Sequence, residues 1–203
     1  MYQLPHFIEK NKQQVVQFMK QQNFAVVIAL GNDYPVTTQL PLEIIEEGEK
    51  LFLSGHFMRN TAHHKAFEKN KNVLVLFHSP HAYIDANWYS NPQQASTVNY
   101  ITVQAAGAML LLDTASSVAI LKEVTDRHIG TKTAASFENL STKYVEEMAK
   151  AIVGFRIEVV TLQNVFKLSQ NKSRQDCESI IHHLEQRAKP GDIYIAQKMK
   201  ERL

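Results

Sequence analysis

Apolar positions along the chain recur with two periods, and the switches between them mark the elements. Val15, Phe18 and Met19 stand three and four apart behind Asn11, which predicts a helix capped by that asparagine and running to about Gln22. Phe24 to Leu30 is continuously apolar and reads as a buried strand. Gly31-Asn-Asp-Tyr-Pro35 is a turn that hands the chain to a second strand, Val36 to about Ile45, so the two form a hairpin. Glu46 to Glu49 turns again into a strand from Lys50 to Gly55, where Leu51 and Leu53 point away from Phe52 and Ser54. Three strands joined by short turns predict an antiparallel meander.

Further on, a short helix fits Thr61 to Lys69, and Val73 to Phe77 is a β-branched and aromatic strand. Ser79 to Gln94 gathers prolines, tyrosines and Trp88 with neither period, and long loops of that kind are usually functional. Thr97 to Leu112 reads as a long strand with Gly107 at a bulge, followed by helices at Asp113 to His128 and Ser141 to Ala151. Strands are expected at Ile152 to Val160 and Val165 to Ser169. The closing helix has Cys177, Ile180, Ile181, Leu184 and Ala188 on one face, with Pro190-Gly191 stopping it and Asp192 capping a last short helix. Six or seven strands with helices between them and at the end predict an α+β fold: a small antiparallel barrel packed by helices. We expect one domain over 1–203 with a helical segment from about 173. A doubly wound parallel sheet would need long helical crossovers between its first strands, and only short turns are present.

Charge narrows the function. The 203 residues carry 22 Lys+Arg against 20 Asp+Glu, a formal net charge of +2, with no run of like charge. A strongly basic nucleic-acid surface and a polybasic membrane anchor are therefore poor readings. Hydrophobic residues at 44% and charged residues at 21% are those of an ordinary globular protein. A single cysteine, no secretory leader pattern at the amino terminus and apolar stretches far short of the ~20 residues that span a bilayer lead us to expect a cytoplasmic protein.

Several familiar chemistries have no footing. His78 and His81 are three apart and His63-His64 adjacent, but no His-Glu-x-x-His pair or second cysteine completes a metal site, so none is expected. Cys177 sits on an apolar face, as inert core does. Gly-x-Ser-x-Gly, Gly-x-Gly-x-x-Gly and Walker A patterns are absent. What remains is three constellations. In Phe52 to Thr61 a strand runs into a helix, bringing Ser54, His56, Arg59 and the free helical N–H groups after Asn60 toward a phosphate, unless the turn is only a solvated cap with Arg59 in a surface ion pair. Lys167-Leu-Ser-Gln-Asn-Lys172 offers donors for a polar ring edge or a phosphate, or is simply a polar loop. The aromatics between Ser79 and Tyr89 either line a planar ligand or pack the core or an interface.

Taken in order, these stretches resemble the PaiB family of FMN-binding split-barrel proteins, described as transcriptional regulators. The resemblance runs through Met1-Tyr-x-x-Pro-His-Phe7, Thr37-Thr-Gln-Leu-Pro-Leu42, Gly55-His56-x-x-Arg59, Pro80-His-Ala-Tyr-Ile84 with Trp88-Tyr89, Asn99-Tyr100, Val153-Gly154 and Lys167-Leu-Ser-Gln-Asn171. It departs where the family has Val-Pro-Thr-Trp-Asn-Tyr and this chain has Ala95-Ser-Thr-Val-Asn-Tyr100, and where Thr61-Ala62 replaces Asn-Pro. The resemblance implies the split-barrel fold shared with pyridoxamine-phosphate-oxidase-like proteins, a homodimer, and FMN near the dimer interface. It also implies Ser54, His56 and Arg59 at the phosphate with Thr61 and Tyr100 in the cofactor site. Thr37, Gln39 and Leu40 would lie along the isoalloxazine, and Lys167, Ser169, Gln170 and Asn171 would form a closing loop that reaches the partner chain's site.

The expected function is a negative transcriptional regulator whose flavin biases an interaction with DNA or a protein. Two other readings stay open. One is an FMN-dependent oxidoreductase, for which His56 and His81 are the acid-base candidates, and the other a flavin-free interaction module. No helix-turn-helix is visible, and Lys198, Lys200 and Arg202 form only a small terminal basic cluster, so regulation comes from the resemblance.

Overall fold

Asn11 caps the first helix as its position predicts. Its side chain accepts from the N–H groups of Gln13 (3.0 Å) and Gln14 (3.4 Å), and α1 runs Lys12–Gln21. The computed structural model describes residues 4–203, so Met1 and Tyr2 of the amino-terminal motif lie outside the described residues. The chain divides into two compact units. The first comprises the residues up to Gln22, Phe77–Gln104 and Gln163–Leu203, and the second Asn23–Leu76 and Ala105–Leu162.

Among the described residues eight strands form: β1 (Phe24–Ala29), β2 (Val36–Pro41), β3 (Glu43–Glu47), β4 (Lys50–Met58), β5 (Asn72–His78), β6 (Ala82–Ile84), β7 (Thr97–Leu111) and β8 (Ile152–Lys167). The order is β2-β1-β5-β7-β8-β4-β3, and every strand on this path lies wholly or partly in the second unit. Where one strand was expected from Val36 to Ile45, the chain makes two. Pro41 ends the pairing with β1 and has no N–H to continue a ladder, and the Leu42 N–H turns to the Asn23 carbonyl at 2.9 Å. Consecutive segments thus occupy the two ends of the strand order, so two hairpins, β1–β2 and β3–β4, at opposite ends of one sheet replace the expected meander. Leu51, Leu53 and Phe57 of β4 join Val27, Val75, Phe155 and Ile157 in its core, each large side chain contributing about 1.5–3 kcal/mol on burial.

Gly107 makes a close approach: a Cβ there would stand 2.1 Å from the Glu158 carbonyl oxygen of β8. Helices α2 (Ala62–Lys69), α3 (Thr114–Ile129) and α4 (Thr142–Ala151) complete this unit, with Thr61, Asp113 and Ser141 at their caps. Ser117 of α3 accepts the Gly154 N–H at 2.8 Å, and a Cβ at Gly154 would meet that hydroxyl at 2.9 Å.

In the first unit, the stretch expected as an irregular loop contains β6, paired with the start of β7, and a 3-10 turn at Ala86–Trp88. Trp88 stacks on His183 with centroids 5.1 Å apart, and the Arg187 guanidinium lies 4.9 Å from its ring. Tyr89 is buried, leaving Tyr83 as the exposed aromatic of the group. The two strands expected near Ile152 and Val165 are one. The polar run between them stays extended, and Asn164 holds Glu9, accepting from its N–H at 2.8 Å and donating to its carbonyl at 3.1 Å. Polarity there marks exposure, not a turn.

Helices α5 (Arg174–Arg187) and α6 (Pro190–Lys200) end the chain, confirming the helical segment. Cys177, Ile180, Ile181 and Leu184 are buried, but Ala188 is a left-handed cap (φ 53°) outside that face. Pro190 opens α6 rather than stopping α5, because its missing N–H costs nothing in a first turn. Asp192 sits at the third position and accepts the Lys189 N–H at 3.2 Å. Among the described residues no helix is long and apolar enough to cross a membrane.

Candidate functional sites

Each unit carries part of the expected set. In the second unit, Thr37 and Gln39 project to the exposed side of β2, and Leu40 is half-buried on its other side. Ser54 and His56 share one face of β4. After β4 the chain turns through Arg59, Asn60 and Thr61 into α2. Asn60 takes a left-handed conformation (φ 63°), and its N–H donates to His64 Nδ1 at 3.1 Å. The Thr61 hydroxyl donates to the Met58 carbonyl at 2.9 Å and accepts the His64 N–H at 3.4 Å. The cap thus serves the third residue of α2, and the N–H groups of Ala62 and His63 have no acceptor within the helix.

Arg59 makes no ion pair among the described residues. Its Nε and Nη2 donate to the carbonyls of Lys150 (3.1 Å) and Ile152 (2.8 Å), while its N–H donates to that of Ala151 (2.8 Å). A cation on the carboxyl end of α4 is favoured by the helix dipole. Two of the three guanidinium nitrogens are thereby engaged.

Ser54 stands apart from this turn in its chemistry. Its hydroxyl donates to the Phe155 carbonyl at 3.3 Å, and its register partners are Glu43 of β3 and Arg156 of β8. Glu43 pairs with Arg127 of α3. Arg156 lies 3.8 Å over the Phe52 ring with Nη2 2.6 Å from Glu47, and its buried Nε has no acceptor among the described residues. This ionic row was not read from the sequence, because register between β3, β4 and β8 is set by long-range pairing. His56 is half-buried, and burial pushes its imidazole below the ordinary value, favouring the neutral ring.

In the first unit, Tyr100 is half-buried on β7, and the motif after β8 forms a tight turn. Ser169 is left-handed (φ 60°) and 3% exposed; its hydroxyl bonds with the Asn99 amide, and its carbonyl accepts the Lys172 N–H at 2.9 Å. The Gln170 side chain accepts from Leu168 N–H at 2.7 Å and donates to the Phe166 carbonyl at 2.5 Å. Ser169 and Gln170 therefore build the turn. Lys167, Asn171 and Lys172 line a cavity of about 470 Å³ together with Phe7, Tyr89 and Thr97. Only the lysine motif and Tyr89 were legible in advance; their meeting depends on the fold.

Among the described residues no three His, Cys, Asp or Glu side chains gather as a metal site would require. Cys177 is buried, its thiol donates toward the Ser169 carbonyl at 3.4 Å, and burial raises its pKa, as suits inert core.

The comparisons agree with this architecture. Residues 1–161 match the family model described as "Putative FMN-binding domain". "Protease synthase and sporulation protein PAI 2" of Bacillus subtilis (strain 168) is 31% identical over 206 residues, covering 100% of this chain and 98% of that protein. Two solved structures share the fold. The FAD and heme binding protein from Mycobacterium smegmatis has a TM-score of 0.60 at 14% identity, over 84% of this chain and 78% of that one. The flavocytochrome Anf3 from Azotobacter vinelandii has a TM-score of 0.58 at 16% identity, over 79% and 69%. The α+β split-barrel fold with carboxyl-terminal helices is the one expected. The chain belongs to this FMN-binding, PaiB-like family, and FMN is its cofactor.

Proposed function

We propose that this member of the FMN-binding family holds the flavin with its second unit and acts as a cytoplasmic, homodimeric negative transcriptional regulator whose interaction with a partner depends on the flavin. The observation that carries the binding reading is the turn from β4 into α2. Here a guanidinium with one nitrogen uncommitted and two first-turn N–H groups without helical acceptors lie in one short stretch, donors suited to a phosphate dianion, with the Thr61 hydroxyl able to join them only by leaving the Met58 carbonyl. Arg59, Thr61 and the α2 amides are the phosphate ligands on this reading, with His56 nearby. Thr37, Gln39 and Leu40 supply the strand along the ring. Ser54, whose hydroxyl is engaged and whose neighbour is Glu43, contributes less. Bound FMN supplies a ring with more than one redox state, and the protein's part is to hold it and present that state to a partner.

Regulation through a partner protein suits the charge better than a broad grip on DNA. Lys198, Lys200 and Arg202 pair with Glu201, Glu185 and Glu9, so the terminal cluster is largely neutralised. Dimerisation follows from the split-barrel resemblance, and Tyr34 and Val160 of the second unit, 83% and 75% exposed, are apolar side chains open to such a contact. Light scattering at micromolar concentration should give twice the chain mass, and a single 23.1 kDa species would contradict the dimer.

Arg59→Ala tests the phosphate assignment. A charge-assisted bond is worth about 1.5–3 kcal/mol, so FMN affinity should fall roughly tenfold to a hundredfold. Riboflavin, which has no phosphate, should bind both proteins alike. Equal loss of the two ligands would mean that Arg59 acts only by tethering α4, and no loss of either would remove it from the site.

A further inference from the structure

Two ammonium groups share the cavity in the first unit, and no carboxylate is among the described residues that line it. Lys167 Nζ bonds the Thr97 hydroxyl and lies 5.9 Å from the Phe7 ring centre, while Lys172 Nζ bonds the Gln94 side-chain oxygen and lies 4.6 Å from that of Tyr89. Their hydrogen-bond partners are therefore neutral. Asp176, which interacts electrostatically with Lys172, has its carboxylate on the Ser90 N–H at 2.7 Å, and that bond and the lysine hold it ionised. His6 adds a third nitrogen base to the wall.

A second observation is independent of the lysines. Tyr89 also lines the cavity and is only 5% exposed, yet its hydroxyl has no hydrogen-bond partner among the described residues. A buried hydroxyl without a partner is costly and rare, and here it adjoins an open space walled by two ammonium groups. The Ser169 turn fixes Asn171 and Lys172 at the same wall through its left-handed backbone and its bonds to Asn99. Burial lowers the Lys167 pKa.

We propose that this cavity binds a phosphate monoester, its dianion held by Lys167, Lys172, the Tyr89 hydroxyl and the Asn171 amide, and its organic part lying against Leu4 and Phe7. Two cations and two further donors match the charge and acceptor number of a phosphate better than those of a carboxylate. None of the residues lining the cavity belongs to the β4–α2 turn proposed for the flavin phosphate, so the site does not rest on that reading.

Calorimetric titration of the FMN-saturated protein with phenyl phosphate tests it, with orthophosphate and benzoate as comparisons. Phenyl phosphate should saturate one site per chain. Lys172→Met should weaken it at least about tenfold and Tyr89→Phe by about threefold to tenfold, with unfolding temperature and FMN affinity of both variants unchanged. Benzoate and orthophosphate should each bind more weakly than phenyl phosphate. Absence of saturation, or undiminished affinity in Lys172→Met, would overturn the site. Orthophosphate equal to phenyl phosphate would overturn the ester, and benzoate equal to it the phosphate. Binding to flavin-free but not to FMN-saturated protein would assign the cavity to the flavin itself and overturn the proposal.

Discussion

Truncating Phe155 to alanine should destabilise the protein by about 3–5 kcal/mol, enough to consume much of the roughly 5–15 kcal/mol that a domain of this kind has in hand. The ring has no exposed surface and packs on Phe57 with centroids 5.4 Å apart and planes at 23°. Phe57 in turn meets Phe67 of α2 at 5.2 Å, so the cluster joins the sheet core to the helix whose first turn is the proposed phosphate site. Neighbouring β-strands cannot close over the missing ring without breaking the β4–β8 register, in which Phe155 faces Gly55. Thermal unfolding should shift down by roughly 10 °C. A loss below about 1 kcal/mol in denaturant titration would mean that the site collapses freely and that this ring does not organise the core.

Asp192→Asn should cost about 3 kcal/mol near neutral pH. Its carboxylate is 3% exposed and takes two bonds from Arg187, Nε at 2.7 Å and Nη2 at 2.6 Å, besides the Lys189 N–H. Removing one charge of a buried pair strands the other, and the lower end of the usual 3–5 kcal/mol applies because Arg187 keeps access to water. The Arg187 bonds come first among the causes that hold the Asp192 pKa below its ordinary value, with burial opposing them. A depressed folded-state pKa stabilises above the unfolded value, about 3.9, and that contribution fades as pH falls through the folded value. The gap between the two proteins in urea unfolding should thus be constant above about pH 5 and narrow only in more acid solution. A gap that persists unchanged under acid conditions would show that the ion pair is not its source.

How legible the fold was depended on how local its causes are. The cap at Asn11, the helices behind Thr61, Asp113 and Ser141, and the apolar face at Cys177 to Leu184 are specified within a few residues, and the sequence pattern locates them. The split at Pro41-Leu42 and the unbroken β8 escaped that reading because both depend on partners far along the chain. Pro190 was misread for a simpler reason: proline ends one helix and starts another with equal ease, and Ala188 had already supplied the stop. The site was legible as residue types and not as roles. Arg59 is where a phosphate ligand was sought, but its contacts with the α4 carbonyls follow from the fold, as do the Glu43–Ser54–Arg156 row and the meeting of Lys172 with Tyr89.

The central claim is that the second unit holds FMN by its phosphate at the β4–α2 turn. Its most direct test is a visible-absorption titration of flavin-free protein with FMN, run beside riboflavin. Equimolar saturation with a perturbed flavin spectrum is expected, with an affinity for FMN at least about tenfold above that for riboflavin, the worth of one charge-assisted phosphate bond. An FMN spectrum that stays as in water, or equal affinities for the two flavins, would contradict it.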